Sequence, residues 1–322
     1  MSGRTKIEWA DAVWNPVTGC TKVSEACCNC YAERQAKRFA GRAGYPAKHP
    51  FAVTLRPDRL NEPLRWRKPR RIFVCSMGDL FHPDVPEEFV DQVWGAMILA
   101  PWHQFLVLTK RPERAESYLT RQFKRGSVSG RLCAFYFGTL GRSSVWPLTA
   151  ERAAAAARWP VPNVWLGTSV EDQATADERI PHLLRCPAVL RFVSYEPALG
   201  PVDFGDNLVY ICGPTCTEAG FGINWVIAAG ESGPKARPAH PDWFRSVRGQ
   251  CQAAGVPFFF KQWGEWVVPN ATVREMDFVP KFKTGREQLF EDGPIAMRVG
   301  KKAAGRRLDG VEHNAYPGGV AP

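Results

Sequence analysis

The stretch Phe105 to Arg114, FLVLTKRPER, decides how this chain is read: the apolar run Phe105 to Leu108 gives way at once to Thr109, Lys110 and Arg111. An unbroken apolar run, without alternation, suits a strand buried on both faces of a parallel sheet. The same device recurs along the chain. Ile72 to Cys75 leads into Ser76 and Asp79, Val164 to Leu166 into Thr168, Ser169 and Glu171, and Leu190 to Val193 into Ser194 and Glu196. Trp225 to Ala228 leads into Glu231 and Ser232, and Phe258 to Phe260 into Lys261 and Gln262. With Phe51 to Leu55 and a weaker run near Val13, up to eight strands are expected.

Helical periodicity lies between these runs, which is a βα succession. The clearest helix follows Asp84, where Asp84 and Glu87 can form a capping box and Phe89, Val90, Val93, Trp94, Met97 and Ile98 share one face. Others are expected at Tyr31 to Phe39, Pro112 to Leu119, Asp177 to Leu184 and Asp242 to Ala254. The fold class is therefore α/β, a TIM-like (βα) barrel, partial or complete. Parallel strands of such a barrel end at one face, so the polar residues after each run would share one mouth. Polar residues also simply mark where strands stop; yet loops favour Gly, Asn and Asp, whereas here Glu and Lys recur directly after the strands.

Two segments break the pattern. Residues 122–160, with the alanine run Ala153 to Ala157, read as an insertion, and from Trp266 onward the chain is rich in Gly, Lys and Arg without strong periodicity. The expected organisation is a barrel over 1–265 and a C-terminal appendage or tail over 266–322. No fixed-period repeat is present.

With 322 residues, 45% hydrophobic and 23% charged, the chain should be globular. No apolar run is long enough for a bilayer and the N-terminus lacks a signal-peptide pattern, so a cytoplasmic protein is expected. Its formal charge of +10 favours a polyanionic partner such as nucleic acid. Basic clusters at Arg65, Arg67, Lys68, Arg70 and Arg71, and at Lys301, Lys302, Arg306 and Arg307, point the same way, although a solubility charge would look alike.

Ten cysteines in a chain without an export signal argue for free or metal-binding thiols over a disulfide framework. The segment GCTKVSEACCNCYAE, Gly19 to Glu33, gathers Cys20, Cys27, Cys28 and Cys30. Thiolates bind soft metals, and one short loop can wrap one cluster. Cys20, Cys27 and Cys30 would leave one iron of a 4Fe–4S cluster open to an exchangeable ligand. Structural zinc needs a closed set of four, which Cys28 could complete; a redox C-x2-C pair is a third reading. Cys75, Cys133, Cys186 and Cys251 lie among apolar residues and read as core, while Cys212 and Cys216 stay open.

These residues resemble a known family. The cysteine segment, with WADAVWNPVTG before it and SMGDLFHPDVPEEF, LTKRPER, GTSVEDQ, SYEPALGP, GESGPKARPAHPDW and PFFFKQWGEW after it, is similar to the phage and bacterial gene product 37/gene product 68 family, regarded as related to radical S-adenosylmethionine proteins. The resemblance covers Lys6 to Trp266. It implies a barrel whose first loop carries ligands at Cys20, Cys27 and Cys30, with S-adenosylmethionine bound on the open iron and cleaved to a 5′-deoxyadenosyl radical. The chain departs from the common C-x3-C-x2-C pattern by six residues in the first gap, and the aromatic Tyr31 follows the last cysteine, which bears on the adenine contact.

By position, Ser76 and Asp79 would meet the methionine amine, and Thr168, Ser169 and Glu171 the ribose or substrate. Lys110, Arg111 and Lys261 suit a carboxylate or phosphate, while Glu196 and Glu231 are candidates for proton transfer. Salt bridges within the mouth would use the same residues. Three functions follow: a radical enzyme acting on a nucleic acid or nucleotide-like substrate and served by an external electron donor; a non-catalytic zinc- or cluster-stabilised nucleic-acid-binding protein; or a barrel hydrolase using the mouth carboxylates.

Overall fold

The computed structural model describes residues 5–124, 159–209, 222–269, 287–291 and 293–318. Most of the expected insertion, 125–158, lies outside the described residues, as do Cys133, Cys212 and Cys216. In chain order the elements are β1 (Ala12–Trp14), β2 (Val17–Thr18), α1 (Tyr31–Arg38), β3 (Thr54–Leu55), α2 (Glu62–Arg65), β4 (Arg71–Val74), α3 (Glu87–Ile98), β5 (Gln104–Thr109) and α4 (Pro112–Lys124). There follow β6 (Val164–Val170), α5 (Gln173–Arg185), β7 (Arg191–Tyr195), β8 (Trp225–Ala229), α6 (Pro241–Ala253), β9 (Phe258–Gln262), β10 (Trp266–Val267), β11 (Glu287–Leu289), β12 (Ile295–Arg298) and α7 (Lys301–Ala304).

The main sheet has seven strands in the order β1-β4-β5-β6-β7-β8-β9, the partial form of the expected (βα) barrel. The run Phe51 to Leu55 is a correction. Only Thr54–Leu55 is extended, and it pairs antiparallel with Val17–Thr18 outside the main sheet. Phe51 and Ala52 instead turn their carbonyls toward the segment around Gly19, Phe51 accepting from the Cys20 N–H at 3.1 Å.

The chain divides into two compact units. The first comprises Met1–Val23, Ala32–Thr168 and Pro181–Leu190. Its strands run parallel, with Trp14 opposite Val74, Val74 opposite Val107 and Val107 opposite Leu166. Trp14, Ile72, Val74, Phe105, Leu106 and Val107 are fully buried, each large side chain contributing roughly 1.5–3 kcal/mol by leaving water. The apolar face of α3 is buried as its periodicity predicts: Phe89, Val90, Val93, Trp94, Met97 and Ile98. The capping box is not formed. The helix starts after Pro86, whose side chain cannot cap, and the Asp84 N–H donates to His82 Nδ1 at 3.1 Å.

The second unit comprises Ser24–Tyr31, Ser169–Ile180 and Arg191–Pro322. Here β7 pairs with β8 and β8 with β9, all parallel. The α6 helix begins at Pro241, with His240 Nδ1 accepting the Asp242 N–H as its cap. In the C-terminal segment β10, β12 and β11 form a small antiparallel sheet. Beyond it the chain lies along β9: Phe260 N–H donates to the His313 carbonyl at 3.0 Å, Trp225 Nε1 to Ala315 at 3.0 Å and Trp263 Nε1 to Arg307 at 2.7 Å. Covering β9 in this way satisfies strand groups that an open edge would leave bare. No described helix is long and apolar enough to cross a membrane.

Candidate metal centre and its surroundings

In the first unit Cys20 is placed by its backbone. Gly19 takes φ +85°, and a Cβ there would stand 2.1 Å from the Ala52 carbonyl oxygen, so only glycine fits. Gly19 N–H donates to Met77 at 2.8 Å, and Gly19 bridges Gly78, which a Cβ would drive to 2.9 Å from the Val17 carbonyl oxygen. This close pass brings Cys20 to the end of β4.

There Asp79, almost fully buried, accepts four hydrogen bonds. Oδ1 takes Thr109 Oγ1 at 2.7 Å and the Phe81 N–H at 3.0 Å; Oδ2 takes the Lys110 N–H at 3.2 Å and Arg111 Nη1 at 3.0 Å. Arg111 Nη1 also donates to Cys20 Sγ at 3.3 Å, and Nη2 to the carbonyl and hydroxyl of Thr21 at 3.1 and 3.0 Å. Burial works against the Arg111 charge, but Asp79 and Cys20 outweigh it and hold its pKa above the ordinary guanidinium value. A fixed cation on sulfur favours thiolate, the form that ligates metal. His82 closes the network through Nε2 to Thr21 Oγ1 at 2.8 Å, and burial, with Arg111 beside it, lowers its pKa. Ser76 donates to Asn15 Oδ1 at 3.2 Å and Thr168 to the Thr109 carbonyl at 2.9 Å, both buried.

In the second unit Cys27 and Cys30 lie on and just after a 3-10 turn, Glu25–Asn29, with α1 starting at Tyr31. Cys27 N–H donates to Ser24 at 2.9 Å and Cys30 N–H to Cys27 at 3.4 Å. Ser24 Oγ donates to Glu171 Oε1 at 3.2 Å, and Glu171 is bound by Arg179 Nη1 at 3.0 and 3.2 Å. Arg179 Nη1 also donates to the Ser169 carbonyl at 2.8 Å. At the other end of the turn Asn29 Nδ2 donates to Glu231 Oε2 at 3.1 Å and to the Lys235 carbonyl at 2.8 Å. Arg237 grips both oxygens of Glu231, at 2.7 and 2.9 Å, and hydrogen bonding to that carboxylate raises its pKa against the cost of burial. Cys28 is exposed and turned to Glu25 Oε2 at 3.7 Å. Tyr31 is 40% exposed. Lys261 Nζ donates to Glu196 Oε1 at 2.6 Å.

Cys20, Cys27, Cys28 and Cys30 are thiols outside any disulfide. Cys75, Cys186 and Cys251 are buried, as expected of core residues; burial raises the Cys75 thiol and pushes Cys251 up to about 12, so neither offers a thiolate. Among the described residues no group of three or more His, Cys, Asp or Glu is gathered closely enough to hold a metal ion. Residues that sequence reasoning passed over are Ser24, Asn29, Arg179 and Arg237, which hold the cysteine turn, and Asn15 and His82 beside Cys20. Arg237 follows Glu231 by six positions in a Gly- and Pro-rich loop, which is the one local signal for that pair.

The chain is thus an α/β protein of the partial (βα) barrel class with a cysteine-bearing first loop. Residues 4–317 match the family described as "Protein of unknown function (DUF5131)", and the chain belongs to it. The finer gene product 37/gene product 68 resemblance stays with the sequence blocks that carry it. No curated protein matches the chain. Among solved structures it is similar to "Spore photoproduct lyase complexed with dinucleoside spore photoproduct", at 8% identity and a TM-score of 0.41, over 94% of this chain and 72% of that one. It is also similar to a double mutant of spore photoproduct lyase "with bound AdoMet and dinucleoside spore photoproduct", at 9% identity and a TM-score of 0.40, over 93% of this chain and 71% of that one.

Proposed function

We propose that the protein is an iron–sulfur enzyme of the radical S-adenosylmethionine type, with Cys20, Cys27 and Cys30 holding a 4Fe–4S cluster. The observation that carries this reading is the treatment of the three thiols: none is tied up in a disulfide, Cys20 faces a buried guanidinium, and Cys27 and Cys30 ride a turn anchored at both ends. The donor chemistry suits such a cluster, since three soft thiolates leave one iron for an exchangeable ligand. Metal binding and ligand deprotonation are coupled, so the metal itself completes the gathering of its ligands. When bound, the cluster would supply one-electron cleavage of S-adenosylmethionine.

This chain's own residues then divide the work. Arg111 holds negative charge on Cys20, and Asp79 and Thr109 hold Arg111. Ser76, Asp79, Thr168, Ser169, Glu171 and Tyr31 are assigned to the cofactor, and the Lys261–Glu196 pair to proton transfer, with a substrate that is a nucleic acid or nucleotide-like. Glu231 joins that pair as a candidate for proton transfer, and its carboxylate also accepts from Arg237 and from Asn29 of the cysteine turn. The basic balance of the chain supports the polyanionic substrate, and an external electron donor is required.

Quantifying iron, sulfide and zinc after anaerobic purification and reconstitution tests the metal. Iron and sulfide of about four each per chain, lost in Cys20→Ala, Cys27→Ala and Cys30→Ala but kept in Cys28→Ala, are expected. One zinc, no iron and dependence on Cys28 would instead establish the zinc-stabilised binding protein.

A further inference from the structure

We infer that Glu171 and Glu231 are positioning residues for the metal ligands, two buried carboxylates that lock the cysteine turn from either end; this rests on the iron–sulfur reading above. Glu171 is 1% and Glu231 5% exposed. Each sits just past the end of a strand, β6 or β8, on backbone that the sheet holds rigid. Each is neutralised by one arginine, Arg179 or Arg237, so the pair can be buried without stranding a charge. Each spends a further acceptor on the turn: Glu171 on Ser24, three residues before Cys27, and Glu231 on Asn29, directly before Cys30. Two more bonds tie the same loop to the turn, Asn29 Nδ2 to Lys235 and Arg237 Nη2 to the Glu25 carbonyl at 3.2 Å.

The consequence is directional. A turn of five residues held only by its own backbone bonds could shift as a unit, whereas anchors at Ser24 and Asn29, one on each side of Cys27 and the second directly before Cys30, fix the backbone from which the two sulfurs leave. Residues outside the ligand set that hold ligands in position commonly change metal affinity by about 10- to 100-fold when removed. Leu199 and Gly200 N–H groups, donating to the Glu171 carbonyl at 2.8 and 3.2 Å, keep that residue's backbone in place independently of the turn.

Ser24→Ala and Asn29→Ala cut each anchor on the turn side, leaving both buried ion pairs intact. Amide exchange of the turn, measured on the full chain as purified, should quicken by roughly ten- to a hundredfold in each variant, the equivalent of one hydrogen bond to a charged group. The global unfolding midpoint should stay put. In reconstituted protein, iron affinity against a competing chelator should fall about 10- to 100-fold, and Ser24→Thr, which returns the hydroxyl, should restore it. Exchange and iron retention like wild type in both variants would overturn the inference. Should the wild-type chain take up no iron while exchange still quickens, the iron–sulfur reading falls and the anchoring of the turn stands.

Discussion

Asp79→Asn is the substitution whose effect the structure specifies most fully. The side chain is 7% exposed, and its two oxygens accept from four donors, two on each. An amide keeps the oxygen that serves Thr109 and Phe81. Its NH2 group, however, would face the Lys110 N–H and Arg111 Nη1, donor against donor. Two hydrogen bonds are lost and the Arg111 guanidinium, with a side chain 6% exposed, is left without its carboxylate. Breaking a buried pair from one side costs about 3–5 kcal/mol, far above the median of about 0–1 kcal/mol for an exposed pair. Urea unfolding followed by tryptophan fluorescence should report that loss. Asp79→Asn combined with Arg111→Gln removes the stranded charge and should recover a large part of it, although Cys20 then lacks its cation. A single-variant loss below about 1 kcal/mol, or a double variant no better than the single, would refute the reasoning.

Other consequences can be checked with the same unfolding assay. Gly19→Ala should destabilise by more than the roughly 1–2 kcal/mol of a left-handed alanine because its Cβ also meets the Ala52 carbonyl, whereas Gly205→Ala, at φ +51° with open space around it, should cost only that strain. Burial lowers the pKa of His103, whose Nε2 lies 3.0 Å from the Pro63 carbonyl while Nδ1 is buried without a partner. A base whose folded pKa lies below its unfolded value near 6.5 binds its proton more readily when unfolded. Stability should therefore fall as the pH drops through about 6.5, by at most about 1.4 kcal/mol per pH unit for this group, and His103→Gln should flatten the slope. Asp309, held below its ordinary pKa by Arg245 and Arg248 in spite of burial, ties α6 to the C-terminal segment; Asp309→Asn should cost about 1 kcal/mol and speed proteolysis after residue 300.

The parallel strands were legible because burial on both faces forces continuous apolar runs, and β4 through β9 of the main sheet all carry one. Phe51 to Leu55 carries the same composition but serves another end: its carbonyls meet the glycine pass beside Cys20, a backbone contact that leaves no mark in side-chain type. The Asp84 and Glu87 spacing fits a capping box, yet Pro86 sets the helix start and Asp84 is drawn to His82. The cysteines were legible as a spacing. Their anchors were not, since Ser24 and Glu171 stand 147 positions apart and Asn29 and Glu231 202 apart. For the same reason the sequence shows Glu231 as a candidate for proton transfer after a strand but not the hydrogen bonds its carboxylate makes to Arg237 and Asn29.

The most direct test is to incubate the anaerobically reconstituted protein with S-adenosylmethionine and a strong one-electron reductant and to measure 5′-deoxyadenosine by chromatography. Formation of that product, abolished in Cys20→Ala, Cys27→Ala and Cys30→Ala, is the predicted result. A protein that holds its iron–sulfur cluster yet leaves S-adenosylmethionine intact would contradict it.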